Sequence, residues 1–274
     1  MPLVDQLEIR ERESDAVDTA FWRRLPQSIL QEAVQGRLAP QDDADEPADA
    51  LLEQIREQRA ELVKQKKAKA PKGGESRIYQ SADGSWYEQR GKGEPKCIDN
   101  EIPFDIPESW AWRRMIDLCD FGSCINIEYN DVPIGTWNFD LEDLEKDTGR
   151  VLRKKYKSEK DSGSTKHVFK AGMVLYSKLR PYLNKVTVAD EDGVCTSEVL
   201  PLQFEALNSF YAMRYFMSPF FLGLANTHIS GIKMPRLRVG DAKQFLVPVP
   251  PLAEQERIVG RVDEIMSLLD KALN

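Results

Sequence analysis

The sequence is poor in the residues that build metal and nucleophile sites: two histidines and four cysteines in 274 residues. Cys97, Cys119, Cys124 and Cys195 form no C-x-x-C pair, which argues against a structural zinc site and for reduced thiols of a cytoplasmic protein. No run of 18 apolar residues occurs, and Met1 to Glu11 is polar and acidic, so neither a membrane-spanning helix nor a secretory signal is expected. Catalytic signatures are missing as well. There is no G-x-x-x-x-G-K-[ST] phosphate loop, no N-P-P-[FY] or D-P-P-[FY] of an amino-methyltransferase, no H-E-x-x-H and no G-x-S-x-G. Pro248-Val249-Pro250-Pro251-Leu252 reads as a helix entry, and Asp190-Glu191-Asp192 beside Gly193 as a hairpin tip rather than a metal site. These absences point away from an enzyme and imply no cofactor of its own.

What is present is charge, unevenly placed. The net charge is −7. Residues 1–60 carry 14 acidic and 7 basic side chains, a balance of −7. Residues 150–190 carry 11 basic and 3 acidic, a balance of +8. Attraction to phosphates depends on the field within a Debye length of roughly 8–10 Å, so the total does not exclude a polyanion. The basic segment suits phosphates, or is a solvated lysine-rich loop.

Periodicity divides the chain. Leu25, Ile29 and Ala33, with Leu30 and Val34 beside them, form one helical stripe, and Gly36 followed by Pro40 predicts its end near Arg37. After an acidic turn at residues 40–47, a second helix is expected from about Ala48 to Lys69, with Leu51, Leu52, Ile55, Leu62 and Val63 inward. Residues 71–100, rich in Gly, Ser, Pro and Lys, read as a linker with a short hairpin around Asp83-Gly84. Residues 101–250 have the texture of a mixed α/β domain, a common size for one core. Strands are expected at Val168–Tyr176, Lys185–Ala189, Val194–Phe204 and Phe245–Val249, and helix at Phe210–Ala225. Residues 251–274 form a last helix, in which Val259, Val262, Met266, Leu269 and Leu273 make a coiled-coil seam with Ile258 and Ile265 on its shoulder. Two heptads need a partner, and the second helix, of the same chain or another copy, is the candidate. The fold class is therefore α+β, one globular domain with long antiparallel or coiled-coil helices toward both ends.

Two segments in the domain combine cations with hydrogen-bonding groups. In Ser177-Lys178-Leu179-Arg180-Pro181-Tyr182, the proline fixes the chain, Lys178 and Arg180 project from a strand end, and Leu179 and Tyr182 are core in the alternative reading. In His228-Ile229-Ser230-Gly231-Ile232-Lys233-Met234-Pro235-Arg236, a Gly-hinged loop carries His228 and Ser230 as hydrogen-bonding groups and Lys233 and Arg236 as charges. That loop suits a sugar–phosphate backbone, or is a structural turn at the domain exit.

Four blocks in order carry a resemblance. They are Leu25–Gln58, Glu101–Met115 (EIPFDIPESWAWRRM), Phe169–Val186 (FKAGMVLYSKLRPYLNKV), and Asn226–Leu237 leading into Val247–Ile265 (VPVPPLAEQERIVGRVDEI). The chain resembles the specificity subunits of type I restriction–modification systems. The resemblance implies one target-recognition domain, residues 101–250, between an N-terminal spacer arm (residues 1–70) with its linker and a C-terminal spacer helix. It also implies sequence-specific binding of double-stranded DNA with no catalytic centre of its own. Partner methyltransferase subunits would use S-adenosylmethionine on a flipped adenine, and motor–nuclease subunits would join for cleavage.

By the same resemblance, base-reading residues belong in loops that vary among members: Asn126–Trp137, and Lys154–His167 with Lys154, Lys155, Tyr156, Lys166 and His167. Ser177, Lys178, Arg180, Lys185, His228, Ser230, Lys233 and Arg236 would then position the backbone. Members usually carry two such domains and this chain holds one, while Met1–Leu7 is similar to Met266–Ala272. That suggests a half-length subunit, paired head to tail as a homodimer on a bipartite site. A helix of ~22 residues would set half-sites ~33 Å apart, about one duplex turn. Two other readings stay open: an inhibitory protein whose helices dock the methyltransferase without reading DNA, and the recognition end of a fused restriction–methylation enzyme.

Overall fold

The computed structural model describes residues 21–22, 24–65 and 74–273. The Met1–Leu7 similarity, the expected last turn of the second helix at residues 66–69, and the side chains of Leu62, Val63 and Leu273 lie outside the described residues.

Helix α1 covers residues 24–34 and buries the expected stripe of Ile29, Leu30, Ala33 and Val34 in the main core. It ends where the sequence places its stop. Gly36 takes φ +73°, and the Arg37 amide donates to the Glu32 carbonyl at 2.9 Å, a left-handed cap. A Cβ at Gly36 would lie 2.5 Å from Pro107 Cγ, so both the backbone angle and the space demand glycine. Helix α2 (Ala48–Lys64) begins with Ala48 donating to the Ser109 carbonyl at 2.9 Å. It lies along the globular body, where Asp49 pairs with Arg113 at 2.9 Å and Arg56 with Glu75 at 2.7 Å.

The segment read as a linker is built into the body. Strands β1 (Ser76–Gln80), β2 (Trp86–Arg90) and β3 (Lys96–Cys97) form an antiparallel sheet, with the expected hairpin turning at Asp83-Gly84. Among the described residues of this segment, only Ile78, Trp86 and Ile98 reach the core beside Trp112. So few apolar positions in such short strands give no readable alternation. Glu88 fastens the sheet through Arg114 (2.6 Å) and Ser76 (2.5 Å).

Strand β4 (Ala111–Arg114) runs into α3 (Met115–Leu118). A four-stranded sheet follows, in the order β5 (Asn126–Ile127), β7 (Lys166–Phe169), β10 (Gly193–Cys195) and β6 (Trp137–Phe139). A three-stranded sheet places β8 (Val174–Ser177) between β11 (Val199–Leu202) and β9 (Val186–Val188). Two expected strands thus divide: Val168–Tyr176 into β7 and β8, and Val194–Phe204 into β10 and β11, the halves lying in different sheets. The Asp190-Glu191-Asp192 run is not a hairpin tip, because β9 and β10, which it joins, belong to separate sheets. Helices α4 (Ser209–Met217) and α5 (Pro219–Thr227) pack Phe216 and Phe221 against Tyr176, with Tyr215 against Phe221. A small ribbon of β12 (Ile229–Ser230) and β13 (Arg236–Leu237) and the turn α6 (Val239–Ala242) follow. Finally β14 (Leu246–Val249) pairs antiparallel with β4. The entry and exit of the domain are thereby joined in one ladder.

Helix α7 (Leu252–Leu273) is locked to the body by its first turn. Glu254, fully buried, accepts from Trp110 Nε1 at 2.8 Å and Gln41 Nε2 at 2.6 Å. Gln255, also fully buried, donates to the carbonyls of Ala206 (3.1 Å) and Pro250 (3.0 Å) and accepts from the Asn208 amide at 2.6 Å. Within the chain, α7 lies against α4, with Arg214 bonded to Asp263 at 2.5 Å, while Arg257 holds Asp45 ahead of α2. The buried stripe is Ile258, Val262 and Leu269, with Val259, Ile265 and Met266 half-buried. Ile258, expected on the shoulder, is central, because the helix turns its stripe to a globular surface rather than to a single helix.

Candidate nucleic-acid interface

Two groups of candidate residues occupy two regions that meet at the start of β11. The first is built around the loops 126–137 and 154–167, which are tied together. Lys157 is buried, and its ammonium donates to the carbonyls of Tyr129 (2.6 Å), Asn130 (3.2 Å) and Val132 (2.6 Å), with the Tyr129 ring 5.0 Å away. The Lys157 backbone bonds to Gly135 and Thr136, both at 2.9 Å, and Thr165 donates to Glu128 at 2.9 Å. The two loops are thus held by bonds of their own.

Much of the +8 balance is matched locally. Lys154 binds Asp190 at 2.8 Å and Glu191 at 3.0 Å, and lies over the Trp137 ring at 4.7 Å. Tyr156 donates to Glu191 at 2.8 Å. Lys155 and Arg153 converge on Asp143, fully buried, at 3.1 and 2.8 Å. Burial alone would raise the Asp143 carboxyl, but the bonds from Arg153 and Lys155 outweigh it and hold it below the usual carboxylate range. Lys170 pairs with Asp192 at 2.7 Å and Arg150 with Glu145 at 3.0 Å, while Lys185 donates to the Leu141 carbonyl at 2.5 Å. Lys166 lies over the Tyr129 ring at 5.2 Å, and its neighbour His167 places Nδ1 2.8 Å from the Val199 carbonyl.

That carbonyl leads to the second group. Val199 is paired with Ser177, whose hydroxyl donates to the Leu179 carbonyl at 2.9 Å. The Lys178 amide donates to the Glu198 carbonyl at 3.0 Å, and the Lys178 carbonyl accepts from Leu237 at 2.9 Å. Arg180, in the left-handed region at φ 51°, donates its amide to the Pro235 carbonyl at 2.7 Å, and Leu179 bridges Arg236. The two sequence segments thus form one surface. Arg236 grips Glu198 in a two-pronged pair, Nη2 at 2.6 Å and Nε at 3.0 Å from Oε1. His228 binds the Leu224 carbonyl at 2.9 Å and packs its ring against Phe245 at 5.0 Å. Ser230, Lys233 and Arg180 are exposed, and among the described residues neither Arg180 nor Lys233 has a carboxylate partner. Tyr182, core beside Leu179 in the alternative reading, is 52% exposed.

Sequence reasoning missed Glu198, Asp143 and the exposed apolar tip of Ile232 and Met234. The acids carry no motif; each is defined by an arginine that the fold brings to it. Ile232 lies within the His228–Arg236 loop, but its exposure is set by the ribbon.

No family model matches the chain. It is 31% identical over 172 residues to the type I restriction enzyme EcoDI specificity subunit of Escherichia coli, covering 63% of this chain and 38% of that protein. To the EcoAI specificity subunit of Escherichia coli it is 29% identical over 271 residues, covering 94% of this chain and 42% of that protein. The chain therefore spans about two fifths of the length of these curated relatives. Its fold is similar to the crystal structure of the HsdS subunit from Thermoanaerobacter tengcongensis, with a TM-score of 0.55 at 21% identity over 63% of this chain and 46% of that one. Over nearly its whole length, then, the chain is similar to type I restriction enzyme specificity subunits.

Proposed function

We propose that the globular body reads one half of a bipartite site in duplex DNA, without performing chemistry, and that the helices hold partner methyltransferase subunits, and motor–nuclease subunits for cleavage, around it. The observation that carries the reading is the joining of the 177–182 and 228–236 segments into one surface with Arg180 and Lys233 free of carboxylate partners among the described residues. Phosphate contacts there would set the register, and the tied loops 126–137 and 154–167 would carry the contacts to base edges. In the finer form of the proposal, two copies pair head to tail and each reads a half-site. The half-buried Ile265 and Met266 and the exposed Leu268 on α7 support that pairing.

The test is duplex binding by the chain with its methyltransferase partner at a series of salt concentrations. Lys178→Glu with Arg180→Glu is expected to weaken binding on all sequences and to lower the salt slope by roughly 0.9 for each phosphate that is no longer neutralised. A second reading, a docking protein that no longer reads DNA, draws on the extent to which the basic segment is already matched by Asp143, Asp190, Glu191 and Asp192. Under it, the charge reversal changes nothing.

A further inference from the structure

The β12–β13 ribbon ends in a five-residue tip, 231–235, with an unusual composition for a protruding loop. Ile232 is fully exposed, Met234 is 44% exposed, and Ile229 at the ribbon's base is 39% exposed. A flexible loop could fold these side chains inward, but this tip is braced. Gly231 takes φ +85° so closely over the return strand that a Cβ would lie 3.1 Å from the Met234 carbonyl oxygen. The same oxygen accepts from Arg236 Nη1 at 3.2 Å, and the Pro235 carbonyl accepts from Arg180 at 2.7 Å. Arg236 is in turn clamped by Glu198. The framework therefore keeps a β-branched, conformationally stiff side chain out in water, where it has nothing to bury against.

The surroundings indicate what covers it. Lys233 sits within the tip and Arg180 on the turn bonded to it, neither with a carboxylate partner among the described residues. The acid at the ribbon's base, Glu198, is already engaged by Arg236. An apolar point between unmatched cations fits a polyanion with an apolar interior. Ile232 and Met234 have no donor or acceptor with which to read a base edge, whereas an aliphatic side chain can part stacked bases, as minor-groove wedges do.

We infer that the 231–235 tip is a wedge: Ile232, backed by Met234, enters the minor groove and opens a base step while Arg180 and Lys233 hold the flanking phosphates. The inference rests on the DNA-reading proposal and adds to it that the site is read partly through deformability. Pyrimidine–purine steps, which unstack most easily, would be favoured beneath the tip.

The experiment uses the full chain with its methyltransferase partner and a duplex recovered by selection from a randomised pool. 2-Aminopurine is placed at successive positions, and donor and acceptor dyes at the duplex ends. Wild type is expected to raise 2-aminopurine fluorescence at one step outside any flipped adenine and to shorten the end-to-end distance. Ile232→Ala, at a fully exposed position that leaves the core untouched, should abolish both signals at that step and weaken binding by about tenfold, with the salt slope unchanged. Met234→Ala should reduce both signals in part. Wild-type binding with no unstacked step outside the flipped base overturns the wedge and leaves DNA reading standing. A loss on replacing thymine by uracil, with stacking intact, overturns it in favour of a methyl contact. If Ile232→Ala weakens only the methyltransferase, the tip is a protein contact and the inference fails. If no duplex is recovered from the pool, the DNA-reading proposal falls with it.

Discussion

The charged residues show how far composition can be read and where it stops. A count along residues 150–190 locates a basic segment, but carboxylates that answer it lie beyond that window: Lys154 meets Glu191, 37 positions away, and Lys170 meets Asp192 across 22. No local pattern announces such pairs. Lys157 is the sharpest case, a lysine in a lysine-rich run that serves as an internal brace. Lys157→Met leaves three backbone carbonyls without their donor and should lower stability by about 2–4 kcal/mol in urea unfolding, although the run around it has the composition of a solvated surface. Asp143 makes a pH-dependent counterpart. Its folded carboxyl is held below the ordinary range by Arg153 and Lys155, so the unfolded chain binds the proton more readily. The stability it contributes is present above about pH 4, the usual aspartate range, and is lost as pH falls toward the folded value. Urea midpoints measured from about pH 6 down to 3 should therefore fall less steeply in Asp143→Asn than in wild type.

At the scale of elements, periodicity served the helices well. The α1 stripe and its glycine stop are where the spacing of Leu25, Ile29 and Ala33 puts them. Gly36→Ala should cost more than about 1 kcal/mol by thermal or urea unfolding, since it meets both a left-handed backbone and Pro107. Strands were less legible. Val168 to Tyr176 is one apolar run in sequence, but Ala171 and Lys170 bond to Asp192 and the chain changes sheets between them. The break falls at the turn Ala171-Gly172, where Gly172 takes φ +85° and donates its amide to the Ala189 carbonyl at 2.8 Å, a partner that the run itself does not show. The Leu-Ala-Glu-Gln stretch opening α7 was readable only as resemblance, and the structure supplies its physics. Burial raises the Glu254 carboxyl against the bonds from Trp110 and Gln41, and Gln255 joins α7 to the chain ahead of α4. Gln255→Ala removes three hydrogen bonds, two of them buried, and should destabilise by about 2–3 kcal/mol. Hydrogen exchange should then quicken in the first turns of α7 before it does in β8.

For the whole molecule, the sequence conveyed a globular body with helices toward both ends, and the β4–β14 ladder explains how one body serves both. What it left open was which surface each helix covers, since a stripe reads the same whether it meets a sheet, a helix or another chain. α7 answers this in two parts. Ile258 and Val262 are fully buried on the body, whereas further along the helix Ile265 and Met266 are only half covered and Leu268 is 56% exposed. A leucine on the uncovered side of a helix loses up to roughly 1.5–3 kcal/mol of burial by remaining in water, and a second copy's helix can recover it. If pairing uses this face, the mass of the free chain by light scattering should rise with concentration from the single-chain value toward twice that value. Leu268→Glu should hold it at the single-chain mass while leaving the urea midpoint unchanged, because the position contributes little to the chain's own core. A chain that stays single at high concentration, or a Leu268→Glu variant that pairs as wild type does, would move the pairing surface off α7. Duplex binding by Leu268→Glu would then retain cooperativity between half-sites, whereas pairing through α7 requires that cooperativity to vanish with the dimer while affinity for one isolated half-site persists.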